Sequence, residues 1–358
     1  MKWVIAGGGT GGHLFPGIAV AEAFLEREEE NEVLFIGTER GLEAKVLSDG
    51  RFPLKMIRAM PLMGRPILGK ARALWAMPRS IGEAMRLLKE FQPHLVLGVG
   101  GYASGPAILG AALLGVKRAI HEQNVVPGLT NRMLKWFSQR IFISFEETRP
   151  YFPAKRTVVT GNPIRREILR CAGLRERGDR FTLLIFGGSS GAHRINMAVV
   201  EALPGLQEMR SAWRFIHQTG KDDLEVVSKA YREGGFEAEV VPFIERMEHY
   251  YPKADLVICR SGASTVAELA VCGKASILVP YPYAAHRHQL INAQKLADRG
   301  AARLILDREL SGPVLSEAIR DLYLHPEKRE GMEQAARTFA RPGAAEEIVD
   351  QGYALVRR

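Results

Sequence analysis

Cysteine is scarce: Cys171, Cys259 and Cys272 are scattered through 358 residues without metal-ligand or redox spacing. A disulfide framework is excluded on that count, and a reducing compartment fits. No apolar run approaches the roughly 20 residues that span a bilayer. The first strand-like run, Lys2–Ala6, passes straight into glycines, without the apolar stretch and cleavage site of a signal peptide. A cytoplasmic location is expected. There is no recognised nucleic-acid module and no block of consecutive basic residues, so no nucleic-acid partner is expected. The excess of 49 Lys+Arg over 40 Asp+Glu, a net charge of +9, instead suits an anionic lipid or a phosphorylated substrate. What is present, 46% hydrophobic and 25% charged residues, is the composition of a folded chain of two ordinary domains.

Short β-branched or apolar runs alternate with longer helical patterns. Strands are expected at Trp3–Ala6, Glu32–Ile36, His94–Val99, Lys117–Ile120, Arg140–Ser144, Phe181–Phe186, Trp213–Gln218, Ala254–Cys259 and Ala275–Val279. Such alternation implies βαβ units and parallel sheets covered by helices. Ligands of such sheets bind beyond the carboxyl ends of the strands.

The chain also repeats itself. Val4–Phe24 (VIAGGGTGGHLFPGIAVAEAF) and Leu183–Leu203 (LLIFGGSSGAHRINMAVVEAL) align without a gap at an offset of 179, half the chain length. Gly8, Gly9 and Gly12 meet Gly187, Gly188 and Gly191, and each half opens with strand, glycine loop and helix. Two similar α/β domains follow, with a hinge near Thr160–Arg166, where Gly161-Asn162-Pro163 breaks regular structure.

Gly7–Gly12 satisfies G-x-G-x-x-G, with Glu39 as a possible ribose ligand, but the physical content is broader than a dinucleotide. Glycines let the backbone approach a ligand, and a helix start favours an anionic one. His13 follows the loop directly and places an imidazole where a proton acceptor is wanted. A third turn, Arg260–Thr265, follows a later strand, and Glu268 lies about one turn inside the helix that Ser264 and Thr265 begin. A carboxylate so placed suits a ribose diol one group removed from a pyrophosphate. N-capping by Ser264 and Thr265, and a helix-dipole role for Glu268, remain open.

At these residues the sequence resembles the MurG family, the UDP-N-acetylglucosamine transferases of peptidoglycan synthesis. The matching segments are GGGTGGHLFPG at Gly7–Gly17, GVGGYASGP at Gly98–Pro106, HEQNVVPGLTN at His121–Asn131 and TGNPIR at Thr160–Arg165. They continue with GGSSGA at Gly187–Ala192, RSGASTVAE at Arg260–Glu268 and HRHQLINA at His286–Ala293. The resemblance implies an α/β fold of GT-B architecture, with two Rossmann-like domains whose parallel sheets face each other across a cleft. It implies an acceptor domain at 1–161, with a C-terminal helix of about 342–358 packed back on it, and a donor domain at 162–341. The implied reaction moves GlcNAc from UDP-GlcNAc to undecaprenyl-diphosphate-linked MurNAc-pentapeptide, converting lipid I to lipid II. The implied location is the cytoplasmic face of the plasma membrane, as a peripheral protein.

Carried over by position, Thr10, Gly11, Gly12, Asn124, Arg165 and Ser189 would face the donor, and Ile244 would meet uracil through its backbone. Ala263, Ser264 and Thr265 would hold phosphate, Glu268 the ribose and Gln289 the GlcNAc hydroxyls. His288 departs from the Gln that members often carry there. Inverting transfer needs a base, for which His13 is the first candidate and Glu122 the alternative. The chain has no Asp-x-Asp, so no obligatory metal and no other cofactor is expected. The acceptor diphosphate is expected on Gly7–Gly12, Gly100 and Gly101, with Tyr102 and Ser104 nearby. Leu62–Leu88 mixes apolar and basic residues. Within it, Ile81, Met85 and Leu88 read as a core-facing helix, and a preceding loop with Leu74 and Trp75 reads as a contact for an anionic membrane surface. The rival readings are a UDP-GlcNAc 2-epimerase or other GT-B enzyme, an NAD-dependent oxidoreductase, and a non-catalytic nucleotide-sugar-binding protein.

Overall fold

Alternation along Lys2–Ala6 (β1) sends Trp3 and Ile5 to one face of a sheet and Val4 and Ala6 to the other. All are buried, as in a strand covered on both sides. The structure, a computed structural model, describes residues 1–38, 47, 50–59, 67–176, 178–284 and 287–357, with the backbone alone for 67–75. Glu39, Leu62, Met63, Arg65 and His286 lie outside the described residues, as do the side chains of Leu74 and Trp75.

The chain forms two units, Met1–Arg165 with Arg341–Arg358, and Arg166–Ala340. The first holds a parallel sheet of β1, β2 (Glu32–Gly37), β3 (Leu54–Met56), β4 (Leu95–Gly98), β5 (Lys117–Glu122), β6 (Arg140–Ile143) and β7 (Thr157–Val159). Its spatial order is β3-β2-β1-β4-β5-β6-β7. One face is covered by α1 (Gly11–Arg27) and by a helix from the far end of the chain, Ala344–Val356. There Trp3 stacks on Phe24 with ring centroids 4.3 Å apart, and Tyr353 leans on both. The other face carries α2 (Ile67–Phe91) and α3 (Ser104–Leu113), and α4 (Leu129–Leu134) follows β5.

The expected membrane loop before Ile81 is part of α2, which runs unbroken from Ile67 through Pro78 to Phe91. Apolar residues at 68, 74, 77, 81, 85 and 88 keep a spacing of three to six positions. Reading only the last three truncated the helix.

The second unit repeats the plan. Its strands are β8 (Phe181–Phe186), β9 (Trp213–Gln218), β10 (Glu237–Val241), β11 (Leu256–Cys259), β12 (Ser276–Leu278) and β13 (Arg303–Leu304), in parallel order β10-β9-β8-β11-β12-β13. Its helices are α5 (Arg166–Arg170), α6 (His193–Leu206), α7 (Leu224–Glu233), α8 (Ala263–Cys272), α9 (His288–Ala297), α10 (Gly312–Leu324) and α11 (Pro326–Arg337); α12 is Ala344–Val356 of the first unit. No helix among the described residues is long and apolar enough to cross a membrane. In each sheet the chain order reverses beside the first strand, between β1 and β4 and between β8 and β11. In folds of this type, loops at such a point form a ligand crevice.

Candidate active site

In the first unit, the loops after β1 and β4 interlock. Gly8 N–H donates to the Gly100 carbonyl at 3.3 Å. Gly101 has φ +79°, and a Cβ there would lie 2.1 Å from the Gly8 carbonyl oxygen, so only glycine permits the contact. Thr10 is the extended residue preceding α1 and is exposed, while Gly11, Gly12 and His13 form the first turn. Tyr102 is exposed beside Gly9. Thr10, Gly11, Gly12, His13, Gly100, Gly101 and Tyr102 therefore gather at one strand-end crevice.

His13 rests on this backbone: a Cβ on Gly100 would be 2.6 Å from its Nδ1. Gln123 controls the ring. Its Nε2 donates to the Val99 carbonyl at 2.7 Å, which orients the amide and turns Oε1 toward His13 Nδ1, 3.3 Å away. Because an amide oxygen only accepts, Nδ1 carries the hydrogen and Nε2 keeps the lone pair. That is the tautomer of a base.

Two expectations are corrected here. Glu122 is 2% exposed and accepts four hydrogen bonds: Asn124 N–H and Nδ2 on Oε1, and Gly128 N–H and Asn131 Nδ2 on Oε2. With its lone pairs occupied, it shapes the 123–128 loop and does not serve as the alternative base. Asn124 is held into that loop by the same carboxylate. Ser104 is 0% exposed, with Oγ beneath Gly98, so its side chain does not reach an acceptor. Arg165 lies with its guanidinium 4.2 Å above the Phe15 ring, on α1 one turn beyond Gly11. Next to Glu122, buried His121 points Nε2 at the Gly161 carbonyl, and burial lowers its pKa to about 4, so it stays neutral.

In the second unit, Gly191 (φ +77°) would place a Cβ 2.0 Å from the Thr219 carbonyl oxygen, locking the loop after β8 onto the loop after β9. Ser189 is exposed on the former. Gln218 ties this loop to Ile244: its Nε2 donates to the Gly188 carbonyl at 2.7 Å, and its Oε1 accepts the Ile244 N–H at 3.1 Å. This commits the Ile244 N–H to Gln218. A cavity of about 450 Å³ opens there, lined by Phe243, Ile244, Arg246 and Tyr250 among others.

Ala263, Ser264 and Thr265 form the first turn of α8, after Gly262. Glu268, one turn on, is buried, and Tyr251 donates its hydroxyl to Oε2 at 2.9 Å. Burial, and then the charge of Glu268, hold the Tyr251 pKa well above its ordinary value, so the phenol remains a donor. Gln289 on α9 is anchored from both sides. Its Oε1 accepts the Tyr281 N–H at 2.9 Å, and its carbonyl accepts the Ser261 hydroxyl at 2.8 Å. Arg260 fixes the loop between, donating to the Val279 and Pro280 carbonyls and pairing with Asp307 at 2.6 Å. His288 opens α9. Gln123, Gln218, Tyr251 and Arg260 were missed from sequence. Gln123 and Arg260 lay inside recognised motifs without their roles being read; Gln218 and Tyr251 lay in none, and both act on partners more than 15 residues away.

Residues 3–143 match the glycosyltransferase family 28 N-terminal domain, and residues 182–348 match the C-terminal domain of that family. A transferase of Geobacter sulfurreducens is 52% identical, with all of both chains aligned. It is named UDP-N-acetylglucosamine--N-acetylmuramyl-(pentapeptide) pyrophosphoryl-undecaprenol N-acetylglucosamine transferase. The crystal structure of Acinetobacter baumannii MurG superposes with a TM-score of 0.78 at 33% identity, covering 99% of this chain and 100% of that one. A Neisseria meningitidis UDP-GlcNAc 2-epimerase bound to UDP-GlcNAc superposes at 0.68 with 15% identity, covering 99% and 100%, a likeness of fold alone.

Proposed function

The chain belongs to glycosyltransferase family 28 and, within it, to the MurG transferases, and on that premise we propose that it makes lipid II. It is a hexosyltransferase that moves GlcNAc from UDP-GlcNAc to the C4 hydroxyl of MurNAc in undecaprenyl-diphospho-MurNAc-pentapeptide. What carries this reading is full-length likeness to transferases of that name, joined to glycine turns at the carboxyl ends of strands. The acceptor hydroxyl attacks C1, its proton passes to His13 Nε2, and the C1–O electron pair leaves with UDP, inverting the anomeric centre. Gln123 holds the ring in the required tautomer. In the donor half, the Ile244 carbonyl suits uracil N3–H. Glu268, steadied by Tyr251, suits the ribose diol, and Ser189, Ser264 and Thr265 at helix starts suit the diphosphate. The amide NH2 of Gln289 suits a GlcNAc hydroxyl.

We read the leaving charge as met by these groups without an obligatory metal, since the chain has no Asp-x-Asp. Activity that vanished with chelator and returned only with Mg²⁺ or Mn²⁺ would refute this. For the lipid-linked acceptor we read a peripheral membrane contact. Met133, Trp136 and Phe137 are exposed around the end of α4, Trp136 to 68%, among Arg132, Lys135 and Arg140. Aromatic side chains among cations suit an anionic headgroup layer. Replacing Trp136 and Phe137 by Ser should weaken co-sedimentation with anionic vesicles while leaving neutral vesicles unaffected.

The main test is UDP release from UDP-GlcNAc with synthetic lipid-linked MurNAc-pentapeptide. The native chain should turn over, His13→Ala should lose roughly 10²-fold or more in kcat, and Glu268→Ala should raise KM for the donor. Formation of UDP-ManNAc without acceptor would favour the epimerase, and UDP-GlcNAc binding without turnover would favour a non-catalytic protein.

A further inference from the structure

We propose that His193, aimed by Asp223, is a further ligand of the donor diphosphate and meets the charge of departing UDP; the proposal rests on the donor-site reading above. His193 is the first residue of α6, directly after the Gly187–Ala192 loop, which contains no charged side chain. Its side chain is 71% exposed, yet Nδ1 lies 2.8 Å from Asp223 Oδ1.

Behind Asp223 runs a buried hydrogen-bond chain with one direction. Asn196 Nδ2 donates both to the Thr219 carbonyl at 2.8 Å and to Asp223 Oδ2 at 2.7 Å, so its Oδ1 must face His217. His217 therefore carries its hydrogen on Nε2, 3.0 Å from that oxygen, and its bare Nδ1 accepts the Tyr231 hydroxyl at 3.0 Å. Each member points the next, and Asp223 ends the series with an oxygen for His193 Nδ1–H. Nε2 is left as the outward atom of the ring.

The loops carrying the two partners cannot slide apart. Gly191 abuts the Thr219 carbonyl and Gly220 abuts the Ser190 carbonyl, each too close to admit a Cβ. The neighbouring cation, Arg194, points elsewhere, donating to the Asp307 and Leu310 carbonyls. At the mouth of the loop, then, a ring of fixed tautomer presents Nε2. In the transfer step, C1–O cleavage leaves its electron pair on a β-phosphate oxygen, and a His193 ring that has taken a second proton from solvent, with Nδ1–H on Asp223, donates Nε2–H to that oxygen. No proton need change owner, because the acceptor's proton has gone to His13.

Calorimetric binding of UDP and uridine to the full chain tests this. His193→Gln should weaken UDP about 10-fold or more and leave uridine unchanged, with kcat falling in parallel. Asp223→Asn should lower the UDP-to-uridine ratio in the same direction, and His193→Arg, which keeps a cation, should recover most of it. An unchanged ratio in His193→Gln would overturn the proposal. So would equal loss of both ligands with a lowered Tm, which marks a mere loop clip. Failure of the native chain to bind UDP or uridine would sink the donor-site reading itself.

Discussion

At the residue scale, Gln123 decides what His13 can do. Replacing it by Leu removes the acceptor at Nδ1 and leaves the buried Val99 carbonyl without its donor. The expected result is a fall in kcat of about 10-fold to 100-fold, part of what a positioned general base supplies. In a double-mutant cycle, Gln123→Leu should cost almost nothing further once His13 is Ala, because the two act as one unit. Additive losses in steady-state kinetics would show that Gln123 acts elsewhere. This scale also shows where sequence reading stops. The glycine turns and helix starts that carry His13, Ser264 and Glu268 were legible because each is a local strand–loop–helix motif. The oxygen that Tyr251 holds and the loop that Gln218 ties are set by pairing between strands distant in sequence. Glu122 looked like a base because a carboxylate after a strand has that chemistry; its four donors are visible only when its loop is folded around it.

At the element scale, the nine strands expected from sequence are the nine interior strands of the two sheets. The four that escaped, β3, β7, β10 and β13, are the four edges. An interior strand in a covered parallel sheet is buried on both faces and reads as an apolar run. The edges are short or half-exposed: burial falls off along Leu54–Met56, and no residue of Glu237–Val241 is buried, so their composition carries little signal. The interlock of the β1 and β4 loops gives a prediction at this scale. Gly101→Ala requires a side chain at φ +79° and collides with the Gly8 carbonyl, so both loops must move. Thermal unfolding should show a loss of about 1–3 kcal/mol, and acceptor KM should rise with it. Gly115→Ala, also at positive φ but with open space around it, should cost less and spare KM. Equal effects of the two would remove any special role for the interlock.

At the scale of the whole molecule, two buried imidazoles set an acid limit on stability. Burial lowers His121 to about 4 and His217 to about 3, against about 6.5 when unfolded. Between those values the unfolded chain binds more protons than the folded one. Stability is therefore complete above pH 6.5 and is lost as the pH falls toward 4 and then 3, by up to about 1.4 kcal/mol per pH unit for each ring. Melting temperatures recorded from pH 7.5 to 4.5 should fall, and His217→Gln should give a shallower slope. Parallel slopes for the two proteins would contradict the assignment. The repeat made the doubling of the α/β plan legible, since a shared strand, glycine loop and helix opens each half.

The return of α12 to the first sheet has a consequence during synthesis. Trp3 is translated some 350 residues before Gly352, whose backbone presses on its ring. Until then, the part of the first sheet's face beside α1 that α12 will cover stays open, while Arg166–Ala340 already has every residue its own core needs. The half translated second is thus the first whose core can be completed on the nascent chain, and the half translated first is completed only when α12 is made.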